Sequence, residues 1–147
     1  IQEQYLIELF PLLQEAGFRI HLETNGTLPG PMRELAGFIN VVAMDIKLPS
    51  SCGHYGLWDA HKEFIEACMD CRLFVKIVVS QNTDPDEIAA AACLIISTGR
   101  DVPMVIQPVT GDNSPSGELL INLQDVALNY LKDVRVIPQC HKILGVR

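Results

Sequence analysis

Positive charge is scarce in this chain. Lys and Arg number 11 against 18 Asp and Glu, a net charge of −7 over 147 residues. No basic block occurs, so the electrostatic footprint of nucleic-acid binding is missing. Long apolar runs are missing too. The longest candidate, Ile88 to Ser97, is about half of the roughly 20 residues that a membrane-spanning helix needs. The five cysteines are an odd set without a regular framework, and thiols in a reducing cytoplasm are the simplest reading. Cys68-x-x-Cys71 has no second pair to complete a zinc site. It falls at the end of an expected helix, whereas a redox pair belongs at a helix start. It therefore reads as structural. There is no GxGxxG, no P-loop and no GxSxG, which removes three common catalytic signatures. Neither an internal repeat nor a low-complexity segment divides the chain.

What is present is a core. Apolar residues make up 48% of the sequence, enough for one domain of this length. The pattern alternates. Helical spacing from Ile1 to Ala16 predicts a helix, with Pro11 as a kink or restart and Gly17 as its C-cap. Phe18 to Leu22 predicts a first strand, turned by Asn25-Gly26. Pro29-Gly30-Pro31 is expected to delay the next helix to about Met32. Phe38 to Leu48 is almost continuously apolar, as in a strand covered on both faces. After a loop from Pro49 to Trp58, Asp59 caps a helix to about Asp70, and Leu73 to Val79 is the third strand. Asp84 with Glu87 signals a capping box for a helix to about Thr98. Pro103 to Val109 is the fourth strand. A turn-rich loop, a helix from Glu118 to Leu131, a strand from Val134 to Pro138 and a tail complete the chain. The class is α/β with a parallel sheet and right-handed crossovers. An open sheet and part of an incomplete (β/α) barrel both satisfy it.

Polar residues gather at the strand exits: Glu23, Thr24 and Asn25; Asp45 and Lys47; Lys76; Gln107; Gln139, His141 and Lys142. In a parallel sheet these exits share the edge where ligands bind. Such a ring suits a ligand with both amine and carboxylate groups. Lysine at a strand end meets a carboxylate, and an acid beside it meets an amine or helps hold a cation. Plainer readings stand beside these. Glu23 can cap the following helix, Asp45 and Lys47 can form a strand-end ion pair, and Lys76 can snorkel or pair. Gln107 can be a satisfied buried amide. His54 and His61 read as loop and helix-surface residues.

In order along the chain, LETNGT, VVAMDIKLPSS, FVKIVVS, VIQPVT and VIPQCHKILGVR resemble the C-terminal part of a radical S-adenosylmethionine (SAM) enzyme. Within that superfamily they are most similar to the 7-carboxy-7-deazaguanine synthase family. The resemblance implies an incomplete (β/α)6 TIM-like barrel, SAM, a [4Fe-4S] cluster and Mg2+. It implies a lyase reaction on 6-carboxy-5,6,7,8-tetrahydropterin in queuosine biosynthesis. It also implies an electron donor such as flavodoxin, with neither nucleic acid nor membrane as partner, and a cytoplasmic enzyme. Matched residue by residue, Thr24 is the substrate contact. Glu23, Gly26, Asp45, Ile46, Lys47, Gln107 and Pro108 are the SAM contacts.

The chain departs from the family in three ways. The CxxxCxxC motif and the GGEP strand are absent, and Asp45-Ile46-Lys47 stands where many deazaguanine synthases have Ser-Pro-Lys. The first two departures suggest a single-domain piece of a longer protein, inactive by itself, whose exposed strand edge promotes self-association as a homodimer. The third keeps a glycyl-radical activating enzyme open as an alternative. A non-catalytic α/β fragment is the other alternative.

Overall fold

In a computed structural model, which describes residues 3–53, 57–68 and 71–146, helices and strands alternate. They are α1 (Glu3–Glu15), β1 (His21–Thr24), α2 (Pro29–Leu35), β2 (Val41–Ile46), α3 (Pro49–Cys52) and α4 (Trp58–Ala67). Then come β3 (Arg72–Val79), α5 (Pro85–Ser97), β4 (Met104–Pro108), α6 (Gly117–Leu128), β5 (Val134–Val136) and α7 (Cys140–Ile143). The five strands lie side by side in chain order, every pair parallel. Right-handed crossovers that always step in one direction leave their helices on one face. The buried residues agree. Val42, Met44, Ile46, Val75, Ile77, Met104 and Ile106 form one core with Phe64 and Ile65 of α4, Ile88 and Ile95 of α5, and Leu123 of α6.

Local chemistry explains where the elements begin and end. Pro11 sits inside a single α1; it removes one backbone donor and does not restart the helix. Gly17, at φ 82°, closes α1, and the Phe18 N–H reaches the Leu13 carbonyl at 2.9 Å. α2 begins at Pro29, earlier than expected. In a first turn the missing proline N–H would have had no partner anyway. β1 begins later than expected because the Ile20 N–H is taken by Asn40 Oδ1 at 2.7 Å. Phe38 belongs to a 3-10 turn, Ala36–Phe38, so β2 is shorter than its apolar run. The stretch after β2 holds the short α3, and the expected tail holds α7.

Two expected caps differ. Asp59 lies in the first turn of α4 without a side-chain cap bond. Asp84 does cap α5, accepting from the Asp86 N–H at 2.9 Å. Its expected partner Glu87 instead accepts the Ser50 N–H at 2.7 Å, tying α5 to the chain just after β2.

The sheet is covered on one face only among the described residues. Alternation sends Val42, Met44, Leu73, Val75 and Ile77 to the helices, all of them buried. It sends His21, Glu23, Asp45, Lys76 and Gln107 to the other face, where they stay partly or fully exposed. The expectation of two covered faces for β2 came from its apolar run; on the helix-free face that run supplies only Val41, half-buried, and Ala43, which is buried. Cys68 and Cys71 are buried. Burial pushes the Cys68 thiol up to about 12, as expected of a packing residue and opposite to a reactive thiol. No helix among the described residues is long and apolar enough to cross a membrane.

Ile77 is fully buried on the central strand, so Ile77→Ala is expected to cost roughly 2–5 kcal/mol. Urea denaturation measures this; a cost near zero would contradict the one-sided core.

Candidate functional site at the strand exits

Three strands bring four charges together. Asp45 and Lys76 are register partners on β2 and β3, so their side chains rise from the same face. Glu23 pairs in register with Ala43, two residues before Asp45, and joins that face from β1. Lys76 hydrogen-bonds Glu23 and lies 3.3 Å from Asp45 Oδ1. Lys47 donates to the other oxygen, Asp45 Oδ2, at 3.2 Å. The two lysines are placed differently. The Lys76 side chain is 15% exposed and the Lys47 side chain 40%. Asp45 Oδ1 is buried and has the ion pair but no aligned hydrogen bond.

The charges shift one another. The hydrogen bond from Lys76, and then its charge, hold the Glu23 carboxyl below its ordinary value. Burial alone would lower the Lys76 ammonium. The Glu23 hydrogen bond and the Asp45 charge together outweigh it and hold that ammonium above its ordinary value.

Beside this cluster the chain leaves β1 in a tight turn. The Gly26 N–H donates to Thr24 Oγ1 at 3.2 Å. Asn25 Oδ1 accepts both the N–H and the hydroxyl of Thr27. Gly26 is required twice over. Its φ is 63°, and a Cβ there would overlap the Met44 side chain. From below, His61 Nε2 lies 3.2 Å from the Asn25 carbonyl oxygen. A neutral imidazole with its proton on Nε2 donates that bond. Burial holds the His61 pKa below its ordinary value.

Similarity to known proteins follows the chain almost end to end. A 7-carboxy-7-deazaguanine synthase from Geobacter sulfurreducens is 36% identical over 148 residues, covering 99% of this chain and 59% of the relative. The Methanopyrus kandleri protein of the same name is 31% identical over 95% of this chain and 53% of its own length. The Archaeoglobus fulgidus protein is 33% identical over 86% and 56%. This chain is related to 7-carboxy-7-deazaguanine synthase. It spans a little over half the length of these deazaguanine synthases. No family model matches it.

Apart from Gly26, which shapes the turn beside the cluster, the residues expected from the resemblance to deazaguanine synthases divide into three groups. Glu23, Asp45 and Lys47 converge, and Lys76 sits between the two acids. Gln107 and Pro108 stand half-buried at the β4 exit, in register with Val78 and Val79. The Gln107 side chain makes no hydrogen bond to a described residue, so its amide remains available. Thr24 and Ile46 fall on the opposite alternation. Thr24 pairs with Met44, and Ile46 is buried in the core, so only backbone atoms of Ile46 can reach a ligand. His54 lies outside the described residues, as does the His141 side chain. A cavity of about 590 Å³ opens on the same face toward the strand starts, lined by Val41, Arg72, Phe74 and Arg135 among others; Val105, the register partner of Lys76, also lines it.

His61 corrects the expectation of a helix-surface residue, since it is fully buried. The signal was present. Trp58, His61, Phe64, Ile65 and Cys68 follow the i, i+3, i+7 spacing of one apolar stripe.

Because the folded pKa of His61 is depressed, stability is full above the unfolded value near 6.5 and declines as pH falls below it. His61→Leu is expected to flatten that dependence in urea denaturation between about pH 5 and 8; an unchanged slope would assign it to other groups. Gly26→Ala should cost roughly 1–3 kcal/mol from backbone and overpacking together. A neutral result by thermal denaturation would mean the turn sits off Met44.

Proposed function

We propose that this chain forms one wall of the SAM site in a radical SAM lyase that converts 6-carboxy-5,6,7,8-tetrahydropterin to 7-carboxy-7-deazaguanine. The observation that carries the reading is the convergence of Glu23, Asp45, Lys47 and Lys76 at one strand-exit edge, in a chain whose relatives bear that enzyme's name. The parallel sheet with helices on one face is read as part of an incomplete (β/α)6 barrel. Its open face turns toward the ligand.

The donor set suits an amino acid-bearing nucleoside such as SAM. Lys47, the more exposed ammonium, takes the carboxylate. The Gly26 turn lets backbone approach the ligand without a side chain between. Asp45 orients Lys47 and accepts from ligand hydroxyl or amine donors. Gln107 and the backbone of Ile46 and Pro108 extend the wall toward β4, and Thr24, at the end of β1, takes the pterin side through its backbone. Bound SAM supplies hydrogen-abstracting radical chemistry when it is reductively cleaved. The contribution of these residues is binding and orientation.

The iron-sulfur cluster and Mg2+ do not fit the described residues in the same way. Among them no group of three His, Cys, Asp or Glu side chains is placed to hold a metal ion, and both acids at the exits are committed to lysines. No ligand for either is assigned to this chain. An electron donor of the flavodoxin type, a homodimer and a cytoplasmic location complete the proposal.

Anaerobic turnover of the gene's full product, reconstituted with iron and sulfide and given carboxytetrahydropterin and SAM, is expected to yield 7-carboxy-7-deazaguanine. Consumption of SAM with a glycyl radical formed on an added protein instead would favour an activating enzyme. Absence of SAM cleavage would leave a non-catalytic scaffold. Lys47→Met should raise the dissociation constant for SAM by roughly tenfold or more, as loss of a charge-assisted carboxylate contact does.

A further inference from the structure

Lys76 is singled out by its place between the two strand-tip acids, yet the SAM contacts proposed above do not include it. We propose that Lys76 is a positioning residue, an internal cation that holds the tips of β1 and β2 together and so leaves Lys47 free to meet the ligand. This rests on reading the strand-exit edge as a ligand site.

Four observations support it. First, Lys76 alone of the two lysines pairs with acids from two strands, Glu23 on β1 and Asp45 on β2. Among the described residues Lys47 pairs only with Asp45. Second, Lys76 rises from within β3, with three more strand residues after it, and is the more buried of the two. Lys47 lies just past the end of β2, where the backbone is no longer held by a ladder. Third, the Glu23 carboxylate, though 68% exposed, is paired with Lys76 and so is not an open anion. Fourth, the Lys47 bond to Asp45 Oδ2 can be exchanged for a ligand carboxylate without stranding Asp45, because Lys76 still stands 3.3 Å from Oδ1.

Charge counting leads to the same assignment. Two carboxylates and two ammonium groups make a neutral set. Transfer of Lys47 to a ligand carboxylate leaves one ammonium shared by two acids. That residual negative charge then faces the cationic part of the same ligand. A zwitterion or sulfonium amino acid is therefore favoured over a simple anion or a simple cation.

The test uses Lys76→Met, Lys76→Arg and Lys47→Met in the gene's full product. Each is read by carboxyl NMR titration of Glu23 and by calorimetry with SAM. Lys76→Met should raise the Glu23 midpoint toward that of an ordinary glutamate and weaken SAM by about tenfold, the usual scale for an outer-shell support. Lys76→Arg should restore both. Lys47→Met should weaken SAM and leave the Glu23 midpoint where it was. A Glu23 midpoint unmoved by Lys76→Met overturns the proposal, as does unchanged SAM affinity in that variant when the wild type binds. A wild type that binds no SAM overturns the cofactor reading instead, and the Glu23 titration still decides whether Lys76 joins the tips. Should Lys76→Met fail to fold, Lys76→Gln carries the same comparison.

Discussion

Everything at the candidate site depends on the parity of the parallel register. In each strand alternate residues face the helices, and the register between strands carries that alternation across the sheet. Val42, Met44 and Ile46 on β2 lie level with Leu73, Val75 and Ile77 on β3, and all are buried. The same pairing sets Asp45 against Lys76. A slip of one residue between β2 and β3 would bury these two charges among apolar side chains and expose the core to water. The hydrophobic effect that fixes the core therefore also places the charges, with no separate device needed to bring them together.

The charge cluster has to be explained by something other than stability. Exposed ion pairs contribute little, and partly buried ones recover only part of their desolvation cost. Burial works against the Lys76 ammonium here, and its two acids compensate. Apolar residues of similar size at these positions would leave the fold at least as stable by that reasoning. A cluster that adds little to stability, at the edge where parallel sheets bind ligands, is better understood as a device for orientation. His61 supports the same view from beneath. A fully buried imidazole whose Nδ1 has no hydrogen-bond partner among the described residues spends its other nitrogen on the turn that carries Gly26.

Much of this was legible in the sequence, and the failures have physical causes. The order and type of the longer elements followed from periodicity, and the five strands emerged where alternation or apolar runs announced them; the short α3 and α7 carry no such signal. Boundaries drifted where a side chain competed with the backbone, as when Asn40 captured the Ile20 N–H and delayed β1. Glu87 was expected to close its own capping box and was found on the neighbouring Ser50 N–H, a contact between residues 37 apart that no local pattern encodes. By residue type His61 looks like a surface residue, yet it is fully buried. Its place on the apolar stripe of α4 held the better information. The exits themselves were readable as a set, because a parallel sheet collects them. The pairing within the set was not, since sequence does not say which of two lysines reaches which acid.

That last distinction has the largest consequence for mechanism. Two lysines at one sheet edge look interchangeable by charge, but their backbones are not. Lys76 is held by ladder partners on both sides, at Asp45 on β2 and Val105 on β4, so its ammonium can move only by rotamer. Lys47 stands beyond the last ladder residue of β2 and just before the Leu48-Pro49 start of α3, where the main chain can shift by small adjustments. A group that must stay in place belongs on the first kind of backbone, and a group that must follow an arriving carboxylate belongs on the second. The same logic assigns Gly26 to the approach and Met44 to the support. On the proposed reading the exit edge has two tiers, a fixed one of Lys76, Met44 and His61 and an adaptable one of Lys47 and the Gly26 turn, and the second would exchange its partners for a ligand.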